Sequence, residues 1–183
     1  MENSGNVLSC NCSFAGVRPI IVDLPYPEIQ AAEGNRDYAN LLSNDYAGAV
    51  SELSAITQYV NHETRMACER CSMAKTMIGI AMAEMMHLQM LGELIFLLGG
   101  NVDFTAKMRN GQSRMWTPQY LNFSSGLREM LIADIESEKK AVNQYRAHRK
   151  MIGDRHVGAV LARIIQDEEY HILILQSLLR EVI

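Results

Sequence analysis

The chain has 183 residues, 48% of them apolar and 21% charged, with 17 basic against 21 acidic side chains and a formal net charge of -4. That composition suits one globular domain, or one domain with an extension, and excludes disorder over most of the length. No basic block stands out, and the longest strictly apolar run near the middle, Met77 to Ala83, is far short of the ~20 residues that span a bilayer, so neither nucleic acid nor a membrane is an expected partner.

Residues 1–36 hold three of the four prolines, Pro19, Pro25 and Pro27, together with Cys10 and Cys12, and read as an extended arm. The first basic residue is Arg18, so no positively charged leader is expected and a cytoplasmic location is the default. Four cysteines in that setting read as thiols or metal ligands rather than structural disulfides. From Asp37 the pattern turns helical: Asp45, Ala49, Glu52, Ile56, Tyr59 and Val60 recur at three- and four-residue steps and predict a first long helix. A second runs from about Ser72 to Leu98 and is closed by Gly99-Gly100. Residues 101–123, with Asn110-Gly111, Trp116 and Pro118, form a long connection. Ser124 or Ser125 is the expected N-cap of a third helix reaching about Ile152, Gly153-Asp154 breaks it, and a fourth runs from about Arg155 to Glu181. The expected fold is all-α: a four-helix bundle over 37–183, two antiparallel hairpins joined by one long crossover, behind an arm over 1–36.

The chain also repeats itself. Ser51-Glu52-Leu53-Ser54-Ala55-Ile56-Thr57-Gln58-Tyr59-Val60-Asn61-His62 aligns with Ser137-Glu138-Lys139-Lys140-Ala141-Val142-Asn143-Gln144-Tyr145-Arg146-Ala147-His148, with six of twelve positions identical. The next helix of each half carries Glu-x-x-His, Glu84 with His87 and Glu168 with His171. Glu52 and Glu84 lie 32 residues apart, Glu138 and Glu168 lie 30 apart. In antiparallel hairpins each pair then sits at one height, roughly 22–24 Å from its turn. Glu and His three apart share a helix face. Four such faces bring four carboxylates and two imidazoles to the bundle axis. Ionised carboxylates cannot stand alone in a core, because burial and mutual repulsion raise their pKa values. Two divalent cations balance the charge, and carboxylate with imidazole suits Fe or Mn, with Zn as a substitute.

This ordered set resembles the ferritin-like di-iron carboxylate superfamily, in particular its bacterioferritin and rubrerythrin-like members, over about residues 37–181. The resemblance implies that Glu52 and Glu138 are the first- and third-helix ligands, Glu84 and Glu168 the bridging carboxylates, and His87 and His171 the terminal imidazoles. Tyr59 and Tyr145, each seven residues after a ligand Glu, match tyrosines that stand beside the metals in bacterioferritin-like sites. Departures are visible. No paired Cys-x-x-Cys set stands at the C-terminus, so a rubredoxin-type electron relay is not expected, and Asp134 is the only candidate for an extra third-helix carboxylate. The chain ends about ten residues after His171, so a storage cage is not expected. Manganese catalases share the ligand pattern but usually carry a C-terminal extension.

The remaining signals are weaker. Cys68-Glu69-Arg70-Cys71 falls at the expected tip of the first hairpin, and Cys10 and Cys12 in the arm. Unrelated free thiols are the first reading, ahead of a four-thiolate metal site and a Cys68–Cys71 redox pair. His62 and His148 lie about 15 Å along the axis from their ligand Glu, too far to bind the metals. Glu169 and Asp167 flank Glu168, but the repeat favours Glu168. Met82, Met85, Met86 and Met90 read as core fillers, and Glu33, Glu63, Glu93 and Glu136 as solvated charges. The expected function is a non-haem di-iron oxidoreductase acting on hydrogen peroxide or dioxygen, with an unidentified electron donor and a ferroxidase step as second choice. A manganese catalase, an iron-storage protein and a metal-free interaction module are the alternatives. The apolar width of Leu94-Ile95-Phe96-Leu97-Leu98 suggests a homodimer.

Overall fold

In the computed structural model, residues 9–107 and 111–182 are described. The first eight residues of the arm, Asn110 of the Asn110-Gly111 turn signal, and Ile183 lie outside them. Five helices follow in order: α1 (Arg36–Ala47), α2 (Glu52–Met66), α3 (Cys71–Leu97), α4 (Leu127–Met151) and α5 (Arg155–Arg180). A small antiparallel hairpin, β1 (Thr105–Lys107) with β2 (Ser113–Met115), and a 3-10 turn at Pro118–Tyr120 occupy the crossover. The α2–α3 and α4–α5 hairpins form the four-helix bundle, and α1 packs beside it on α3 and β1.

The spacing of Asp45, Ala49 and Glu52 predicts one unbroken helix, and here the structure differs. The chain breaks between α1 and α2 at residues 48–51. A Cβ at Gly48 would lie 2.6 Å from the Asn44 carbonyl oxygen, so the bend needs glycine. Ser51 then caps α2: its Oγ accepts from the Ser54 N–H at 3.2 Å and donates to the Gly48 carbonyl at 2.7 Å. Glu52 thereby opens α2, where the helix dipole favours a carboxylate. α4 begins later than expected, with Gly126 at the N-cap and no side-chain cap. Ser124 is otherwise engaged, its N–H donating to Asn122 Oδ1 at 2.8 Å and its carbonyl accepting from Arg65. The crossover is pinned to α2 by Trp116 Nε1, which donates to Ser54 Oγ at 2.9 Å, and by the Asn122 N–H, which donates to Gln58 Oε1 at 2.9 Å.

The core falls into two apolar clusters. One gathers Leu42, Leu91, Leu94, Leu161 and Ile164, the other Met77, Ile80, Leu131, Ile135 and Leu175. Each such side chain contributes about 1.5–3 kcal/mol on burial. Along α3, Ile80 belongs to one cluster and Leu91 to the other; along α5, Ile164 and Leu175 do the same. Glu84, His87, Glu168 and His171 lie between, so a polar layer is clamped between two apolar ones. By length and composition α3 could cross a bilayer, but just over half of its most apolar window is buried inside the bundle. Of the expected core methionines, Met90 is buried, Met82 and Met86 are half-buried, and Met85 is exposed. Glu63, expected in solvent, is buried.

The arm holds no helix or strand between residues 9 and 35. It runs from the α2–α3 turn along α3 and α5. Disulfides Cys10–Cys68 and Cys12–Cys71, with Cα separations of 4.8 and 5.3 Å, tie it to that turn. The expectation of free thiols is therefore corrected, as is that of a Cys68–Cys71 pair: the arm reaches the hairpin tip and each of its cysteines finds a partner there. Further on, the Ile20 N–H donates to the Gly79 carbonyl at 2.9 Å. A Cβ at Gly79 would meet Ile20 Cγ1 at 2.9 Å and the Arg18 carbonyl oxygen at 3.1 Å, so glycine is what lets the arm lie this close. Arg163 grips the next stretch, donating to the carbonyls of Val22 at 2.7 Å and Leu24 at 3.0 Å and stacking over the Tyr26 ring at 4.3 Å.

Candidate metal centre

Each bundle helix presents its ligand candidates to one small volume. Glu52 comes from the first turn of α2, Glu84 and His87 from α3, Glu138 from α4, and Glu168 and His171 from α5; none is more than 3% exposed. Two four-residue groups result. Glu52, Glu84, His87 and Glu168 offer ligand atoms within 4.8 Å of one another, and so do Glu84, Glu138, Glu168 and His171. Glu84 and Glu168 belong to both. His87 Nδ1 lies 2.9 Å from Glu84 Oε2 and 3.2 Å from Glu168 Oε1; His171 Nδ1 lies 3.0 Å from Glu84 Oε1 and 3.2 Å from Glu168 Oε2.

Four buried carboxylates and two imidazoles sharing one volume set the charge balance of the site. Burial first, then the charges of Glu168 and Glu84, push Glu52 and Glu138 well above the usual carboxylate range. Glu84 and Glu168 are held low against burial by the two imidazoles. His171 rises to about 10 against its burial, drawn up by Glu84 and Glu168, and His87 rises well above its ordinary value through Asp167, Glu168, Glu52 and Glu84. Ring protons and carboxyl protons thus do the neutralising that cations would do. Among the described residues Glu84 Oε1 is a buried oxygen without a hydrogen-bond partner, although His171 Nδ1 is near. An oxygen so placed, between the two groups that share Glu84, is free to ligate a cation. Oxygen-rich donors with one imidazole per position fit divalent Fe or Mn.

Behind each imidazole stands a partner that fixes its ring. His87 Nε2 is 3.1 Å from Asp167 Oδ2, and His171 Nε2 is 2.7 Å from the Ile20 carbonyl. With Nε2 as donor to these acceptors, Nδ1 of each ring turns to the carboxylates. The tyrosines cross between halves: Tyr59 donates to Glu138 Oε1 and Tyr145 to Glu52 Oε1. Burial and those carboxylates raise both phenols, so they stay protonated. A cavity of about 100 Å³ reaches the four glutamates from the tyrosine side, running in from exposed Ala49 and Lys140 past Asp45 and Gln144.

A ferritin-like domain model matches residues 49–182, most of the chain. The chain belongs to the ferritin-like family. A probable manganese catalase of Clostridium acetobutylicum is 23% identical over 172 residues, which cover 85% of this chain and 76% of that protein. Among solved structures, a manganese catalase from Anabaena superposes with a TM-score of 0.77 at 25% identity, covering 88% of this chain and 79% of that one. Rhodobacter capsulatus bacterioferritin, solved with a metal-free dinuclear site and haem iron, gives a TM-score of 0.68 at 26% identity over 81% of this chain and 86% of its own.

Within this ferritin-like bundle the six residues singled out by the repeat come together, with Tyr59 and Tyr145 beside them. Other candidates lie apart. Asp134 is buried but taken up by Gln58 Nε2 at 2.8 Å and His62 Nδ1 at 2.9 Å. Asp45 repeats that arrangement with Gln144 Nε2 at 2.8 Å and His148 Nδ1 at 2.8 Å, so the repeat histidines each hold an aspartate. Glu169 points outward and pairs with Arg146. Sequence reasoning passed over Asp45, Tyr26, Arg163 and the backbone of Ile20 and Val22. It weighed Asp167 only as a replacement for Glu168. One signal was available: where α5 has Arg163-x-x-x-Asp167-Glu168, α3 has Gly79-x-x-x-Ala83-Glu84.

Proposed function

We propose that the protein is a dinuclear non-haem metal oxidoreductase acting on hydrogen peroxide, with dioxygen as the second candidate substrate. The observation that carries this is the cavity of about 100 Å³ ending on four buried glutamates. It has room for water-sized molecules beside the carboxylates, which suits peroxide or dioxygen. Glu52, Glu84, His87 and Glu168 would hold one ion and Glu84, Glu138, Glu168 and His171 the other. When bound, two divalent ions supply one electron each, which with two protons converts peroxide to two waters. Tyr59 and Tyr145 orient Glu138 and Glu52 from the cavity side, and the apolar clusters above and below keep bulk water out.

Iron is our first assignment, with an external electron donor to return the metals to the divalent state and a ferroxidase step as a variant. Manganese is the second, favoured by the likeness to manganese catalases; peroxide disproportionation would then need no donor. A homodimer is the proposed assembly, supported by Met85, Phe96 and Leu97, which stand exposed along α3.

The test is anaerobic titration of the chelated protein with Fe(II) or Mn(II), followed by peroxide addition with oxygen evolution recorded. Two ions per chain, reduced in Glu138→Ala, are expected. Peroxide loss without oxygen in the iron form supports the first assignment. Oxygen release from the manganese form without reductant supports the second. No bound metal, or binding indifferent to Glu138→Ala, overturns the reading.

A further inference from the structure

The repeat matches the two halves of the centre almost atom for atom on the cavity side. Each half has a Tyr on the opposite glutamate, and each has an Asp–His–Gln cluster behind that Tyr. On the imidazole side the match fails. α5 places Asp167 and Arg163 where α3 has Ala83 and Gly79, and the arm fills the difference. His87 therefore donates to a carboxylate, while His171 donates to the neutral Ile20 carbonyl. Asp167 is itself built in: its Oδ1 accepts from the Val22 N–H at 2.7 Å and pairs with Arg163 at 2.6 Å, and its Oδ2 accepts from Tyr26 at 2.5 Å. A carboxylate partner flanked by Arg163 makes an imidazole a stronger ligand than a neutral carbonyl does, and such outer partners change metal affinity 10–100-fold.

We propose that the two metal positions are inequivalent: the one bounded by Glu52, Glu84, His87 and Glu168 fills first and holds its ion more tightly, and Asp167 is the positioning residue that sets this order. The inference rests on the dinuclear reading. Repulsion between the ions weakens the second step in any such site, so a gap between steps does not decide the matter. The identity of the first position filled does.

The experiment is anaerobic Co(II) titration of the chelated full chain, followed by its visible absorption, with anomalous scattering from crystals grown at one equivalent of Co(II). Cobalt is expected beside His87. In Asp167→Asn, which keeps shape and removes charge, the first step is expected to weaken roughly 10–100-fold while the second holds. Tyr26→Phe removes a hydroxyl from the same cluster but keeps the Asp167 carboxylate on His87, so the first step should hold. A purely structural role would make both variants weaker. Equal occupancy at one equivalent, or Asp167→Asn weakening both steps alike, overturns this inference and leaves the dinuclear reading standing. Absence of any bound cobalt in the wild type overturns both.

Discussion

Gly79→Ala isolates the arm from the rest of the molecule. The new Cβ would stand 2.9 Å from Ile20 Cγ1, 3.0 Å from Ile20 Cδ1 and 3.1 Å from the Arg18 carbonyl oxygen. Overpacking of this kind costs about 1–3 kcal/mol. Replacing glycine by alanine inside a helix returns about 1 kcal/mol, so the net change in unfolding free energy is a loss of about 0–2 kcal/mol. The relief has a direction. α3 is packed in the bundle, whereas the arm lies on its outside, so the arm moves. Moving it breaks the Ile20 N–H bond to the Gly79 carbonyl and lifts the Ile20 carbonyl from His171 Nε2, now 2.7 Å away. Loss of that outer partner should weaken the metal position at His171 about 10–100-fold, or about 1.4–2.7 kcal/mol, while the position at His87 changes little. Urea unfolding of the chelated protein and stepwise Co(II) titration measure the two quantities separately. The reasoning fails if both metal steps are unchanged, or if both weaken in proportion to the loss of global stability.

Reducing the disulfides with a dithiol should destabilise the chain. The Cys10–Cys68 bridge joins residues 58 apart and contributes about 4 kcal/mol by loop closure. The interleaved Cys12–Cys71 bridge, closing only the short loop left once the first is made, adds about 2 kcal/mol. Unfolding midpoints with and without reductant, together with thiol counting, check this; four reactive thiols in untreated protein would count against the pairing and for the reduced state that a cytoplasmic location implies. Stability of the chelated protein should fall as pH rises from the ordinary imidazole value of 6.5 towards about 10. His171, raised to about 10, and His87, raised further than usual, keep protons there that the unfolded chain has lost. Glu52 and Glu138, also raised, act in the same sense from the ordinary carboxylate range upward. Glu84, Glu168 and Asp167 are lowered, so their contribution is lost only in acid. With metal bound the slope in the alkaline window should flatten, because cations replace the protons. Urea midpoints at pH 6.5, 8 and 9.5 as chosen assay points, with and without chelator, test this. A midpoint of the chelated protein that rises across the window would refute it.

What was legible in the sequence was what the repeat duplicates. Glu52 and Glu138, then two copies of Glu-x-x-His, announce themselves by spacing, because helical periodicity converts spacing into a shared face. The bend at 48–51 was carried by Gly48 and Ser51, yet the apolar and acidic periodicity ran straight across it and masked them. The crossing of Tyr59 to Glu138 and of Tyr145 to Glu52 depends on how α2 and α4 face each other, which no linear pattern records. The arm was opaque for a different reason. It works through backbone groups, the Ile20 carbonyl and the Val22 N–H, and these are the same for any residue at those positions. Its trace in the sequence is indirect: glycine and alanine on α3 where α5 has arginine and aspartate. A duplicated bundle makes a symmetric pair of metal positions by default. An element outside the duplication is needed to make them different, and residues 18–26 are the segment whose contacts reach both imidazoles, at His171 by the Ile20 carbonyl and at His87 both through Asp167 and by the Tyr26 hydroxyl, 3.4 Å from Nε2. A difference in chemistry between the two proposed metal positions is therefore to be sought first on the arm side of the bundle, where the halves diverge, rather than among the Glu and Glu-x-x-His residues that the halves share.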